Sequence, residues 1–334
     1  MRITSITPMK NEAPYILEWV AYHRLIGIND ILVFSNDCTD GTDQMLERLD
    51  ELGLLRHYPN PSMTNQSEKH HREVINYINS SARLGRSDWV VHFDVDEFIC
   101  VNAGQGRITD LFDAVGDANM ICMSQHNFGS SGKVAYEDGL TTEAFKWSAD
   151  KSGKYQRHLN RRGVKTLTHR SAQAKRWNNH SPVFRRPKLD LVRPVNGSGE
   201  PLPEDTDLTR DVKFLVSPHY GYDLVQLNHY AIRAVENFVC KMDRGDANFS
   251  DFGNWVGYWE KYDHNDLLND RIDRHIPDLR DAVVELRKDP ELKRLHDRAV
   301  AHSKRRVAEL REDPGFGELL ERIEIVRADK APTG

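Results

Sequence analysis

Residues 88–101 read DWVVHFDVDEFICV, an apolar run interrupted by three acids, Asp94, Asp96 and Glu97. Its β-branched and aromatic residues predict a buried strand. A carboxylate taken out of water without a partner is costly, so these acids must pair, protonate or hold a cation. Side chains alternate along a strand. Trp89, Val91, Phe93 and Val95 are then expected on a core face, with His92, Asp94 and Asp96 on the other. Two carboxylates on one side can reach one divalent ion or one ion-bound diphosphate. Hard ions such as Mg2+ and Mn2+ take oxygen ligands and leave positions for water or substrate phosphate. Without a cation the two repel, and one protonates. A solvated strand end held by a salt bridge is the plainer reading of the same residues.

Upstream, strands and helices are expected to alternate. RITSIT (2–7) and DILVFSN (30–36) predict strands. Between them APYILEWVAYHRLIG (13–27) predicts a helix, with Ile16, Val20 and Leu25 near helical spacing and Gly27 at its end. TDGTDQMLERLDELG (39–53) predicts a second helix, LLRHYPN (54–60) a weaker strand and SEKHHREVINYINSSARLG (67–85) a third helix. After the run at 88–101 come a short helix, RITDLFDAVGD (107–117), and a fifth strand, ANMICMSQHN (118–127). This rhythm predicts an α/β fold, a mostly parallel sheet flanked by helices on both faces. Ligands of such sheets bind beyond the carboxyl ends of the strands. The segments Thr7 to Glu12, Asn36 with Asp37, and Asp94 to Glu97 all lie there.

From about 150 to 230 the rhythm breaks into short strands and loops. Residues 154–193 hold twelve Lys or Arg against one acid, Asp190. Such a stretch reads as a solvated face, as compensation for a diphosphate, or as attraction to an anionic surface. From about 234 the chain turns helical, with Ile272, Ile276, Leu279, Val283 and Leu286 on one stripe and a frayed tail expected at RADKAPTG (327–334).

The 334 residues are 39% hydrophobic and 29% charged, with a net charge of −5, which disfavours a nucleic-acid binder. Cys38, Cys100, Cys122 and Cys240 form no CxxC pair and read as free thiols in a reducing cytosol. MRITSITPMKNEAP does not have the pattern of a signal peptide. No apolar run reaches the length of about eighteen residues that a membrane-spanning helix needs. A cytoplasmic protein is expected, with at most peripheral membrane contact.

Four stretches together carry a resemblance: PMKNEAPYILEWVAYHRLIGINDILVFSNDCTDGT (8–42), DWVVHFDVDEFI (88–99), HNFGSSG (126–132) and LNHYAIRAVENFVCKMDRGD (227–246). The chain resembles family 2-type glycosyltransferases of the GT-A fold, close to the subgroup shared with family 92. The resemblance implies a GT-A domain over 1–246, with a nucleotide-sugar-binding half (1–125) and an acceptor half (126–246), and a helical extension over 247–330. It implies a nucleotide-sugar donor, expected to be a UDP-sugar, a saccharide, glycolipid or glycoprotein acceptor, and Mn2+ or Mg2+. Carried over by position, Asp94 contacts ribose or metal and Asp96 ligates the metal. Thr7, Lys10, Asn11, Glu12, Asn36 and Asp37 cradle the nucleotide. His229 of NHY is a further expected metal ligand, with His180 of NNHSP as a second candidate.

An inverting transfer also needs a carboxylate to accept the acceptor's hydroxyl proton. Glu143 and Asp138, in YEDGLTTEAF (136–145), are the candidates, with Glu137 a third. The family pattern has an acid followed by a basic residue there; this chain has Glu143-Ala144. FGSSG reads as a turn or as amides facing a ligand. Trp177, Trp255, Tyr258 and Trp259 read as core anchors or as platforms for sugar rings. Two other functions use the same features: a phosphatase or nucleotidyltransferase built on Asp94 and Asp96, and a non-catalytic nucleotide-sugar-binding module.

Overall fold

The first strand, β1 (Ile3–Met9), is buried along its whole length, as a strand with neighbours on both sides and covered faces must be. In the computed structural model, which describes residues 1–150, 160–243, 252–312 and 314–330, helices α1 (Ala13–Leu25) and α2 (Thr42–Glu51) connect β1 to β2 (Asp30–Ser35) and β2 to β3 (Arg56–Pro59). A short α3 (Pro61–Asn65) and α4 (His70–Ser80) lead to β4 (Trp89–His92). These four strands are mutually parallel, in the order β3–β2–β1–β4. Their carboxyl ends therefore share one edge, with Met9 beside Ser35 and Ile6 beside His92. Residues 154–159 of the basic stretch, the expected boundary at 246/247 and tail residues 331–334 lie outside the described residues.

The remaining elements are β5 (Glu97–Val101), α5 (Ile108–Val115), β6 (Met120–Asn127), α6 (Thr141–Ala144), β7 (Trp147–Ser148), β8 (Arg161–His169), β9 (Pro194–Asn196), β10 (Phe214–Val216) and β11 (Val225–His229). Then come α7 (Val235–Asp243), α8 (Phe252–Tyr262), β12 (Leu267–Leu268), α9 (Ile276–Leu286), α10 (Pro290–Arg311) and α11 (Pro314–Lys330). The sheet runs β3–β2–β1–β4–β8–β6–β11–β5, with β9 beside β6 and β10 beside β8. The α/β class with a mostly parallel, helix-flanked sheet is thus the fold the chain adopts.

Two expectations need correction. Residues 88–101 are two strands, not one. β4 ends at His92, and β5 pairs antiparallel with β11 at the far edge of the sheet. The acids lie in the turn between. That turn is tied by its own residues: the Asp94 amide donates to Glu97 Oε2 (2.8 Å), and the Glu97 amide donates to the Asp94 carbonyl (3.1 Å). Asp94 and Asp96 therefore do not share one strand face. The second correction is β8, a nine-residue strand at the centre of the sheet, antiparallel to both β4 and β6. Its sequence, RRGVKTLTH, carries charges that central strands rarely hold. Lys165, within it, is only 1% exposed.

The C-terminal helices belong to the main core. Ile276 and Leu279 of α9 and Leu292 and Leu295 of α10 share a buried cluster with Ile16, Trp19 and Val20 of α1. Asp289 caps α10, accepting from the amides of Glu291 and Leu292, and pairs with Arg48 of α2 at 2.6 Å. Trp255 and Trp259 are buried with Phe238, Leu319 and Ile323; they are anchors rather than sugar platforms. Trp177 packs against the cluster of Phe34, Val74 and Ile78.

His23 gives this core a pH dependence. Its Nδ1 donates to the Trp19 carbonyl (2.8 Å), and its Nε2 accepts from the Ile99 amide (3.4 Å). Burial pushes its pKa down to about 3. An unfolded histidine titrates near about 6.5, so between these values the unfolded chain binds a proton that the folded chain refuses. The stability due to the neutral ring is complete above that upper value. It falls by about 1.4 kcal/mol per pH unit as pH drops toward the lower one. Urea unfolding at neutral pH and about two units lower checks this; equal stability would contradict it.

Candidate active site

Asp94 and Asp96 leave the turn toward different partners. Asp94 Oδ2 is 3.1 Å from Lys165 Nζ, and Oδ1 is 3.9 Å from His71 Nδ1 on α4. Burial pushes the Asp94 carboxyl up, but Lys165, His71 and His92 outweigh it and hold the group well below the usual range. Lys165 also donates to the Asn179 carbonyl (3.3 Å) and lies 3.8 Å from Glu97 Oε2. Burial drives the Glu97 carboxyl above its ordinary range, and Lys165 offsets this only in part. Glu97 Oε1 accepts from Gln125 Nε2 at 2.7 Å. Glu97 is thus the internal tie of the turn, and Lys165 is the cation that holds this buried acid beside the partly exposed Asp94.

Asp96 Oδ2 accepts from Lys241 Nζ of α7 at 2.9 Å and lies 3.8 Å from His229 Nε2. Burial raises the Asp96 carboxyl, yet Lys241 and His229 pull it well below the usual range. His229 sits at the end of β11, where Asn127 Oδ1 is 3.1 Å from Nδ1. In the tautomer protonated on Nδ1, that oxygen accepts the Nδ1–H hydrogen bond and the Nε2 lone pair faces Asp96. Burial pushes the ring's pKa down to about 4, so the ring is neutral at pH 7. A neutral imidazole and a carboxylate facing each other, with the far ring nitrogen fixed by a hydrogen bond, suit a divalent ion. Asp94, turned to Lys165, does not join them. Among the described residues no three His, Cys, Asp or Glu side chains gather as a ligand set. His180 also stands apart from Asp96, with Nδ1 donating to the Val164 carbonyl (3.1 Å).

A cleft of about 360 Å³ opens beside Lys241. Lys10 and Asn11 after β1 and Asp37 after β2 line it, with Tyr15 of α1, Arg233, and α10 opposite. Asn11, Asp37 and Arg233 all have left-handed backbones, with φ of 53°, 47° and 57°. Asn11 Oδ1 accepts from the Thr39 amide (2.7 Å) and so joins the two strand ends. The other expected nucleotide residues shape this edge from beneath. Thr7 Oγ1 donates to the Phe93 carbonyl (2.9 Å), Asn36 Oδ1 accepts from Asn60 (3.1 Å), and the Glu12 amide donates to Thr42 Oγ1 (2.7 Å).

The expected bases have other partners. Glu143 is paired with Arg280 of α9. Asp138 is 3.0 Å from His296 Nε2 and 3.2 Å from Arg287 Nη2, and the His296 hydrogen bond is the main cause of its lowered pKa. Glu137 pairs with Lys133 at 2.8 Å. None of the three lines the cleft. Glu143 and Asp138 thus pair with residues of α9, of α10 and of the link between them. Glu143→Gln and Asp138→Asn are therefore expected to keep turnover within a few-fold. A loss of about 10²-fold or more, the scale of a general base, would make the altered residue the base.

Lys165, Lys241 and Arg233 belong to the site through contacts that are distant in sequence. Lys165 had a signal, a lone lysine inside the β-branched run GVKTLT. Lys241 and Arg233 lie within the stretch 227–246 without a spacing that marks them.

The sequence model of glycosyltransferase family 92 matches residues 3–198, more than half of the chain. A glycosyltransferase family 92 protein of Oryza sativa subsp. japonica is 26% identical over 144 residues, covering 41% of this chain and 23% of that protein. One of Ricinus communis is 27% identical over 132 residues, covering 38% and 22%. The match thus spans less than a quarter of the length of either relative. Among solved structures, S. aureus TarS 1–349 in complex with UDP covers 92% of this chain and 90% of its own, at 10% identity and a TM-score of 0.33. Mannosyl-3-phosphoglycerate synthase from Rubrobacter xylanophilus covers 38% and 41%, at 15% identity and a TM-score of 0.27. Likenesses this slight carry no weight for fold or site.

Proposed function

The chain belongs to glycosyltransferase family 92, and on that premise we propose that it transfers a sugar, with inversion, from a UDP-sugar to a saccharide, glycolipid or glycoprotein acceptor, assisted by Mn2+ or Mg2+. The observation that supports this best is the facing pair of Asp96 and neutral His229 beside a cleft lined by the ends of β1 and β2. Asp96 and His229 would hold the ion. When bound, it would supply positive charge to the departing diphosphate. Lys241 fixes Asp96, and Asn127 fixes the ring of His229. Lys165 holds Asp94 at the edge where the ribose would lie. Lys10, Asn11 and Asp37 would contact the nucleotide.

Cytoplasmic placement, with peripheral contact at a membrane, belongs to the same proposal; the four free cysteines suit a reducing compartment. Among the described residues no helix is long and apolar enough to cross a membrane. Nucleotide release from a panel of nucleotide sugars with Mn2+, and the anomer of the product by NMR, test the reading. Turnover of a UDP-sugar with inversion is expected. Failure of every nucleotide sugar to bind or turn over would overturn it.

A further inference from the structure

Arg233 lies just before α7, with its left-handed backbone at φ 57°. Its side chain is buried, 5% exposed, and the guanidinium lies over the Tyr15 ring at 3.6 Å from the centroid. Nη1 is 4.0 Å from Glu12 Oε2. Among the described residues, neither Nε nor Nη2 has a hydrogen-bond partner, although the residue lines the cleft. Two unmet donors on a buried cation are costly. They also form one edge of a planar group, the edge that meets a carboxylate or phosphate with two parallel hydrogen bonds. Tyr15 fixes the plane of that edge. Lys241 and Arg306, also at the cleft, are engaged by Asp96 and Asp243.

We propose that Arg233 is the oxyanion anchor of this cleft, receiving on its Nε–Nη2 edge a phosphate or carboxylate group of one of the two substrates. The inference rests on the glycosyltransferase reading for what brings that group, either the diphosphate of the donor or an acidic group on the acceptor. Both donor atoms are closed to solvent, so a neighbouring side chain must shift to admit that group, and the fixed guanidinium then meets the charge that a leaving diphosphate gains. The same edge would select an acidic acceptor over a neutral one.

The test is calorimetry in EDTA with three probes, inorganic pyrophosphate, UDP and uridine. The proteins are the wild type, Arg233→Lys and Arg233→Met. Pyrophosphate is expected to bind the wild type and to bind both variants about 10-fold more weakly or worse, the scale of charge-assisted hydrogen bonds. If the donor supplies the group, UDP weakens in Arg233→Lys while uridine does not. If the acceptor supplies it, UDP is unaffected, and pyrophosphate binds the UDP-saturated wild type but not the UDP-saturated variant. Arg233→Lys keeps the charge and loses the fork, so it decides the matter even if Arg233→Met fails to fold. Equal pyrophosphate affinity in the wild type and Arg233→Lys, or none in the wild type, overturns the anchor. Should the wild type bind pyrophosphate through Arg233 but no UDP or UDP-sugar even when Mn2+ is supplied, the glycosyltransferase reading falls and the anion site stands.

Discussion

Lys165→Met is expected to destabilise the protein by about 3–5 kcal/mol at neutral pH, the usual effect of removing one partner from a buried charge group. Lys165 is almost wholly buried and stands between Asp94 and Glu97. Methionine fills much of the same space, so the lost charge dominates. Without the ammonium the two carboxyls bind protons more tightly in the folded chain than in the unfolded one. For acids with raised folded-state pKa values, stability is lost as pH rises above the unfolded value of about 4. The gap between variant and wild type is therefore expected to narrow as pH falls from about 8 to about 5. Urea unfolding of both proteins across that range measures it. A gap that is small, or independent of pH, would show that Lys165 does not hold the turn together.

Asp96→Asn is expected to lower metal-dependent affinity for UDP by about 10²-fold or more, since outer-shell metal partners alone account for about 10–100-fold. The amide keeps the shape of the side chain and removes the charge that faces His229 and Lys241. Lys241 keeps its bonds to the Ala231 carbonyl (2.8 Å) and the Tyr258 hydroxyl (3.3 Å), so the fold is expected to survive. Calorimetry with UDP and Mn2+ reads the affinity, and a melting curve reads the fold. Unchanged affinity in a folded variant would remove Asp96 from the site.

The first half of the fold was legible because its elements obey local rules. β1 and β2 are short β-branched, apolar runs, α2 has a clear helical period, Gly27 and Gly53 close the two helices, and parallel pairing follows from the alternation. Residues 88–101 misled because both strands and the turn are apolar apart from the acids. Nothing in the spacing shows that the chain crosses to the far edge of the sheet at residue 93. β8 was hidden by basic residues, because a sequence does not show that Lys165 will meet Asp94 and Glu97 across the sheet. The candidate site was half legible for the same reason. Asp96 and His229 could be named from their surroundings in sequence. Their partners Lys241 and Asn127 come from α7 and β6, and Arg233 takes its importance from donors that no folded neighbour meets. The pairing of Glu143 and Asp138 was not legible either, because their arginine partners lie about 140 residues further on.

The most direct test of the account is UDP binding by the wild-type chain with Mn2+ and with EDTA, followed by calorimetry. The account predicts binding with Mn2+ that weakens about 10²-fold or more when the ion is removed. It also predicts that His229→Ala lowers the Mn2+-dependent affinity toward the value in EDTA. UDP affinity that is the same with and without the ion would contradict the assignment of Asp96 and His229 as its holders.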